Sequence, residues 1–191
     1  MQRLCVNVDY PVVMNKTMVR YGVATIACVA LAGGAHAQIR DLGVHEARDE
    51  FTGAYTCSQA IFSDRSVPNR PTIAMQAGED DHVLIIISRG FERTDWTFNS
   101  LSRTPGDNDR VFFRFVDDDE VVSLRPSSVS VSTSSRMESA SLWDRDLAAR
   151  ILSATGDIRV RFSGPKGNRD FTISHEATTA LAEGFGQICW E

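Results

Sequence analysis

The sequence predicts an α+β fold, a mostly antiparallel β-sheet or sandwich with two C-terminal helices around a β-hairpin. Three observations predict it. Between Tyr55 and Ser135, short apolar segments are separated by clusters of Pro, Gly, Asn and Asp, the punctuation of strands and hairpins. After Met137 the apolar spacing lengthens to a helical one, with Trp143, Leu147 and Ile151 recurring. Strict alternation then returns at Ile158 to Phe162 (IRVRF), ahead of a last helical stretch.

Residues 38–50 (QIRDLGVHEARDE) are polar and charged and read as a loop or a short helical lead-in. Phe51 to Phe62 alternates, with Tyr55, Cys57 and Ile61 as inward positions of a strand. Ser63 to Pro71 is turn chemistry. Thr72 to Gln76 and His82 to Ser88 form a hairpin around Gly78-Glu79-Asp80-Asp81. The consecutive apolar run Val83 to Ile87 places the second strand centrally, covered on both faces. Asp95 to Leu101 reads as a short strand, and Thr104 to Asp109 as a loop. Arg110 to Val116 and Glu120 to Leu124 make the clearest hairpin, turning at Asp117-Asp118-Asp119. Alternation of Val129 and Val131 with serines over 127–135 suits an edge strand with one wet face.

Ser141-Leu142-Trp143-Asp144 reads as a capping-box variant that opens the first helix, which stops at Thr155-Gly156. Ile158 to Phe162 turns Arg159 and Arg161 to water and pairs with Asp170 to Ser174 across Gly164-Pro165-Lys166-Gly167. Ser174 caps a final helix from about Glu176 to Ile188, with Ala177, Leu181, Phe185 and Ile188 on its inner face.

Ahead of this domain, residues 1–37 read as an export signal. Lys16 and Arg20 precede an uncharged run, Tyr21 to Ala32, and Ala35-His36-Ala37 is a small-x-small site that places cleavage between Ala37 and Gln38. The run is shorter than the roughly 20 apolar residues of a membrane span. Met14 or Met18 would start a signal of more ordinary length, because Asp9 and Pro11 do not suit a basic leader. Cys28 offers a lipoprotein alternative. With no twin-arginine pair, export in the unfolded state is expected.

Cleavage leaves Gln38 to Glu191 as one β-rich domain of 154 residues. It removes Arg3, Lys16 and Arg20 against Asp9, so the net charge falls from −5 to −7. Such a surface excludes nucleic acid and anionic lipid as partners, and no membrane span remains. Of the 4 cysteines, Cys5 and Cys28 leave with the signal. Cys57 and Cys189 remain, and an even pair in an exported chain is most simply a disulfide.

Sites for chemistry are sparse. His45, His82 and His175 sit in separate segments, with no HExxH spacing to suggest zinc. There is no G-x-S-x-G elbow. The acids Asp117 to Glu120 suit a solvated turn better than a calcium loop, which needs alternate acids and a central Gly. Gly164 to Gly167 lacks P-loop spacing. Asp144 and Asp146 are not placed across a cleft by anything in the sequence. Trp96, Trp143 and Trp190 read as core anchors. No catalytic, cofactor-binding or metal-ligating residue is assigned, and no cofactor is expected.

The order of Arg110 to Asp118, the helix with Leu147 to Leu152, Ile158 to Phe162, Asp170 to Ser174 and the ending Ile188-Cys189-Trp190 resembles small exported proteins of the type VI secretion accessory TagO/VasI kind. It is also similar to the invasion-associated locus B family. The resemblance covers about residues 83–190. It departs from the TagO-like pattern in that Val83 to Ser88 carries no cysteine. What it implies is an envelope, secretion- or host-interaction-associated accessory protein without enzymatic residues.

The expectation is therefore an exported accessory or binding protein, periplasmic or secreted. It would meet a protein partner through its surface, and the partner and the oligomeric state stay open. A small envelope hydrolase, or a hydrolase inhibitor, is the alternative. An enzyme would set His82 or His175 in a cleft beside a second titratable group. A binding module would present an open edge, for which Ser127 to Ser135 is the candidate.

Overall fold

The computed structural model describes residues 39–63, 67, 69–78, 82–92, 94–99, 103–116, 118 and 120–190. The predicted signal, its cleavage point between Ala37 and Gln38, and the turn residues Glu79, Asp80, Asp81, Asp117 and Asp119 lie outside them. The fold is α+β, built from antiparallel sheets and two helices.

Six strands form the larger sheet: β1 (Ile39–Arg48), β2 (Tyr55–Ser63), β3 (Thr72–Gly78), β4 (Val83–Gly90), β7 (Ser128–Ser132) and β8 (Met137–Trp143), in the order β1-β2-β3-β4-β8-β7. The smaller sheet holds β5 (Arg110–Phe115), β6 (Val121–Leu124), β9 (Ile158–Gly164) and β10 (Gly167–Ile173), in the order β10-β9-β5-β6. Helix α1 (Arg145–Leu152) precedes β9, and α2 (His175–Leu181) follows β10 and runs into a π-helical turn, Ala182–Gly186. Period-2 alternation puts Ile61, Met75, Ile85, Ile87 and Leu142 on one face of the large sheet. Val111, Phe113, Val160 and Phe162 do the same for the small one. Both faces and both helices share one hydrophobic cluster.

Several expectations are corrected. Residues 39–48 are not a loop but the edge strand β1. A strand exposed on nearly every residue has no apolar face to betray it. Its charges and a bulge at Gly43 (φ 76°), whose N–H donates to Asp41, blunt that edge against stray pairing. β4 is central as expected, but only one face is fully covered, since Leu84 and Ile86 are half-buried. Ser141 does not cap α1. Glu138, Ala140 and Leu142 point inward along β8, and the cap is Asp144, which accepts the Leu147 N–H at 2.7 Å. Trp143 therefore ends a strand and is 59% exposed, so it is no core anchor. Ser174 does cap α2, accepting from Ala177 N–H.

Of the strand expected over Asp95 to Leu101, residues 95–99 are not a strand either, Ser100 and Leu101 lie outside the described residues, and the cause is the most demanding interaction in the described part of the molecule. Arg89 and Glu138 stand opposite each other on β4 and β8 and are 1% and 0% exposed. Arg89 Nε meets Glu138 Oε1 at 2.5 Å. Glu138 also accepts the Thr97 N–H at 2.7 Å and the Phe98 N–H at 3.4 Å, while Arg89 donates to the Asp95 carbonyl at 2.6 Å. The backbone amides that a strand would give to a neighbour go instead to a buried carboxylate.

At the other end of the large sheet, the C-terminus is fastened to β2. Cys57 and Cys189 form the expected disulfide, with Cα atoms 5.5 Å apart and a sequence separation of 132. Two positions along β2, buried Gln59 accepts the Phe185 N–H at 2.6 Å and donates to the Ala180 carbonyl at 3.2 Å. A side chain inserted this way stabilises the wide π turn. Gly184 is required there, since a Cβ would collide with the Gln59 carboxamide. The extra residue turns Phe185 and Cys189 inward and leaves Ile188 50% exposed, against the regular helical expectation.

Two outcomes follow for stability. Glu138→Ala strands a buried guanidinium and should cost about 3–5 kcal/mol, whereas replacing Arg89 and Glu138 together by Met and Leu should cost clearly less; urea unfolding of the three proteins compares them. Removing the disulfide with Cys57→Ser and Cys189→Ser should lower stability by about 2–5 kcal/mol, read from the same midpoints.

Candidate functional site

The outward face of the small sheet follows from the same alternation that fills its core. Along β5 the inward Val111, Phe113 and Phe115 leave Arg110, Phe112 and Arg114 facing out. Along β9 the outward positions are Arg159 and Arg161, as the sequence indicated, and along β10 they are Asn168, Asp170 and Thr172. Antiparallel register then sets these side chains in rows. Val121, Arg114, Arg159 and Thr172 form one row across the four strands, and Ser123, Phe112, Arg161 and Asp170 form the next.

The face is concave. A groove of about 850 Å³ runs over it, lined by Phe112, Arg114, Val121, Arg159, Arg161 and Asp170. Val67 and Asn69, from the β2–β3 connection, also reach it. That connection is tied down where the Gly90 N–H donates to the Asn69 carbonyl.

Electrostatics give the groove its character. Arg161 grips Asp170 in a bidentate pair, Nε to Oδ1 at 2.6 Å and Nη2 to Oδ2 at 2.7 Å. The guanidinium's hydrogen bonds hold the Asp170 carboxyl below the usual carboxylate range, and burial, acting the other way, loses. Asp170 in turn raises Arg161 above its ordinary value. A carboxylate held ionised in this way is a poor proton acceptor, so Asp170 is suited to fixing Arg161 rather than to general base work. In the next row Arg114 and Arg159 lie directly opposite each other.

The residues singled out from sequence fall elsewhere. His45, His82 and His175 are exposed and none lines the groove. His82 stands edge-on to Trp143 with ring centroids 6.4 Å apart, and the His175 N–H donates to Asp157. Of the acidic turn, Asp118 and Glu120 pair with Arg150 of α1 at 2.8 and 3.6 Å, so those acids tether a helix. Among the described residues no group of three or more His, Cys, Asp or Glu is arranged to hold a metal ion. The serine strand β7 does lie at the edge of the large sheet. Its Val129 N–H, however, already donates to the Arg103 carbonyl at 3.0 Å, so a connecting segment covers part of that edge.

Sequence reading placed Arg159 and Arg161 in water but did not join them to Arg114. The same alternation in RVFFRF that predicted the strand holds that signal. Only the β5–β9 register shows that the arginines meet.

No helix among the described residues is long and apolar enough to cross a membrane. No family model matches the chain, and no curated protein or solved structure matches it.

The Asp170 pair has a pH signature. Because the folded-state carboxyl is lowered, its stabilisation is present above the unfolded value of about 3.9 and is lost as pH falls through the lower folded value. Wild type should therefore exceed Asp170→Asn by a small margin above about pH 5, shrinking to nothing in stronger acid. Urea midpoints across that range check it, and a margin that persists unchanged into acid would contradict it.

Proposed function

We propose that the chain is an exported accessory protein, periplasmic or secreted, that binds a protein partner through the arginine-lined groove on the outer face of β10-β9-β5-β6. The observation that carries this reading is the gathering of Arg159, Arg161 and a half-buried Phe112 on one concave face. A concave face combining guanidinium groups with apolar surface has the composition of a recognition site, where Arg and aromatic residues are enriched.

Export is supported by the basic-apolar-small pattern of residues 1–37 and by the Cys57–Cys189 bond, which persists in oxidising compartments. An accessory role in a secretion or host-facing envelope system is in keeping with the resemblance of residues 83–190 to TagO/VasI-like and invasion-associated locus B proteins. Titratable groups of the groove are arginines and an arginine-held Asp170. That set favours holding an anionic ligand over moving protons.

The reading is tested by capture from the native envelope. Tagged wild type should retain a partner that Arg159→Glu loses by ten-fold or more, while a charge placed on β7, Ser130→Glu, leaves capture intact. Equal capture by wild type and Arg159→Glu would remove the groove from consideration.

A further inference from the structure

We propose that the outer face of the six-stranded sheet is where two copies of this chain meet, sheet against sheet, to make a dimer. This surface lies on a different sheet from the arginine-lined groove, so the two readings stand or fall separately.

Alternation and register define the face. The core takes Cys57, Ile73, Ile85 and Ala140, so the positions between them point the other way. Phe62, Thr72, Ser88, Ser139 and Ser130 form one row across β2-β3-β4-β8-β7. The neighbouring rows centre on Ile86 and Leu84, and run from Ala60 to Ser128 and from Ser58 to Trp143. None of these rows holds Asp, Glu, Lys or Arg, in a chain of which 24% is charged. A face meant for water carries charges of both signs, at roughly 25–35% of surface positions. Instead Ile86 and Leu84 stand half-buried along the central strand, with Phe62 37% and Trp143 59% exposed toward opposite corners.

The face is large enough to hold a partner. Five strands about 4.8 Å apart, of about seven residues at about 3.3 Å each, make a surface of roughly 24 by 23 Å. That is on the order of 550 Å² before side-chain relief is counted, near the roughly 800 Å² of accessible surface that each partner gives to a stable interface.

Charge chooses the occupant. Electrostatic complementarity is what distinguishes one foreign partner from another, and a neutral face has none to offer. A second copy needs none, because a two-fold axis sets the same patch against itself. Charged side chains there would meet their own kind, and a chain of net charge −5 can associate with itself only where such charges are missing. Serine and threonine hydroxyls both donate and accept, so like groups pair with like. The small side chains of Ala60, Ala74 and Ser139 let two sheets approach to the usual spacing of about 10 Å. A glycan is the other neutral occupant. It stacks on aromatic rings set close along its length, whereas β3 and β4 stand between the strands of Phe62 and Trp143.

The test uses the chain expressed with its export segment and purified, oxidised, from the exported fraction. Sedimentation is followed from low to high micromolar concentration, and wild type should reach twice the monomer mass. Ser139→Lys and Ser88→Lys should each weaken the dimer at least ten-fold with an unchanged far-ultraviolet dichroism spectrum, since both side chains point away from the core. Arg159→Glu, on the groove, should leave the mass as it is. A monomer at every concentration overturns the proposal, and so does a dimer indifferent to both lysines. A monomer that binds chitopentaose, with a change in tryptophan emission lost in Trp143→Ala, also overturns it and makes the face a glycan site.

Discussion

Two charges buried to 1% and 0% exposure, Arg89 and Glu138, set the terms for much of this domain. Neither can be left alone in a medium of low polarity, so each must find every partner its hydrogen-bonding groups require. The pair fixes the register of β4 on β8, because a slip by one residue would turn one of the two charges to the opposite face. It also captures the chain after β4. Thr97 and Phe98 give their amides to Glu138, and that places Phe98 against Phe162 of the small sheet at 4.9 Å. The Asp95 carbonyl accepts from Arg89 and from Arg169 of β10 alike. One ion pair thus sets the contact between the two sheets.

A second fastening sits across the molecule, and its logic is covalent. The Cys57–Cys189 bond restricts the unfolded chain across a sequence separation of 132, a long loop of the kind whose closure entropy stabilises most. Gln59 supplies the matching polar contact by filling the π turn of the last helix. Both act on β2. Together they hold the C-terminal helix against the large sheet and leave the outer face of the small sheet to its own side chains.

The outer face of the small sheet is set by strand register rather than by the core. β5 and β9 could carry any polar residues outward and still fill the core. Instead they set Arg114 against Arg159, and beside them Arg161 against Phe112. The Asp170–Arg161 pair holds one guanidinium of that face in place through two hydrogen bonds.

Much of this was legible before any coordinates. Elements that bury one face announce themselves by period, so the hairpins β3–β4, β5–β6 and β9–β10, the Ser174 cap and the inward Leu147 and Ile151 could be read directly. The pairing of Cys57 with Cys189 could likewise be reached by counting. Elements that bury little left no such mark: β1 looked like a loop because it packs no apolar side, and Asp95 to Asn99 looked like a strand because its sequence does not reveal where its amides go. Around Trp143 two periods overlapped, and burial of Ala140 and Leu142 decided for the strand. Which arginines face each other, which glutamate meets Arg89 and what Gln59 fills were settled only by tertiary structure. Sequence fixes the face on which a side chain lies, since that depends on the local backbone period. Its opposite number is brought from 40 or more residues away by strand register, which the whole core decides at once.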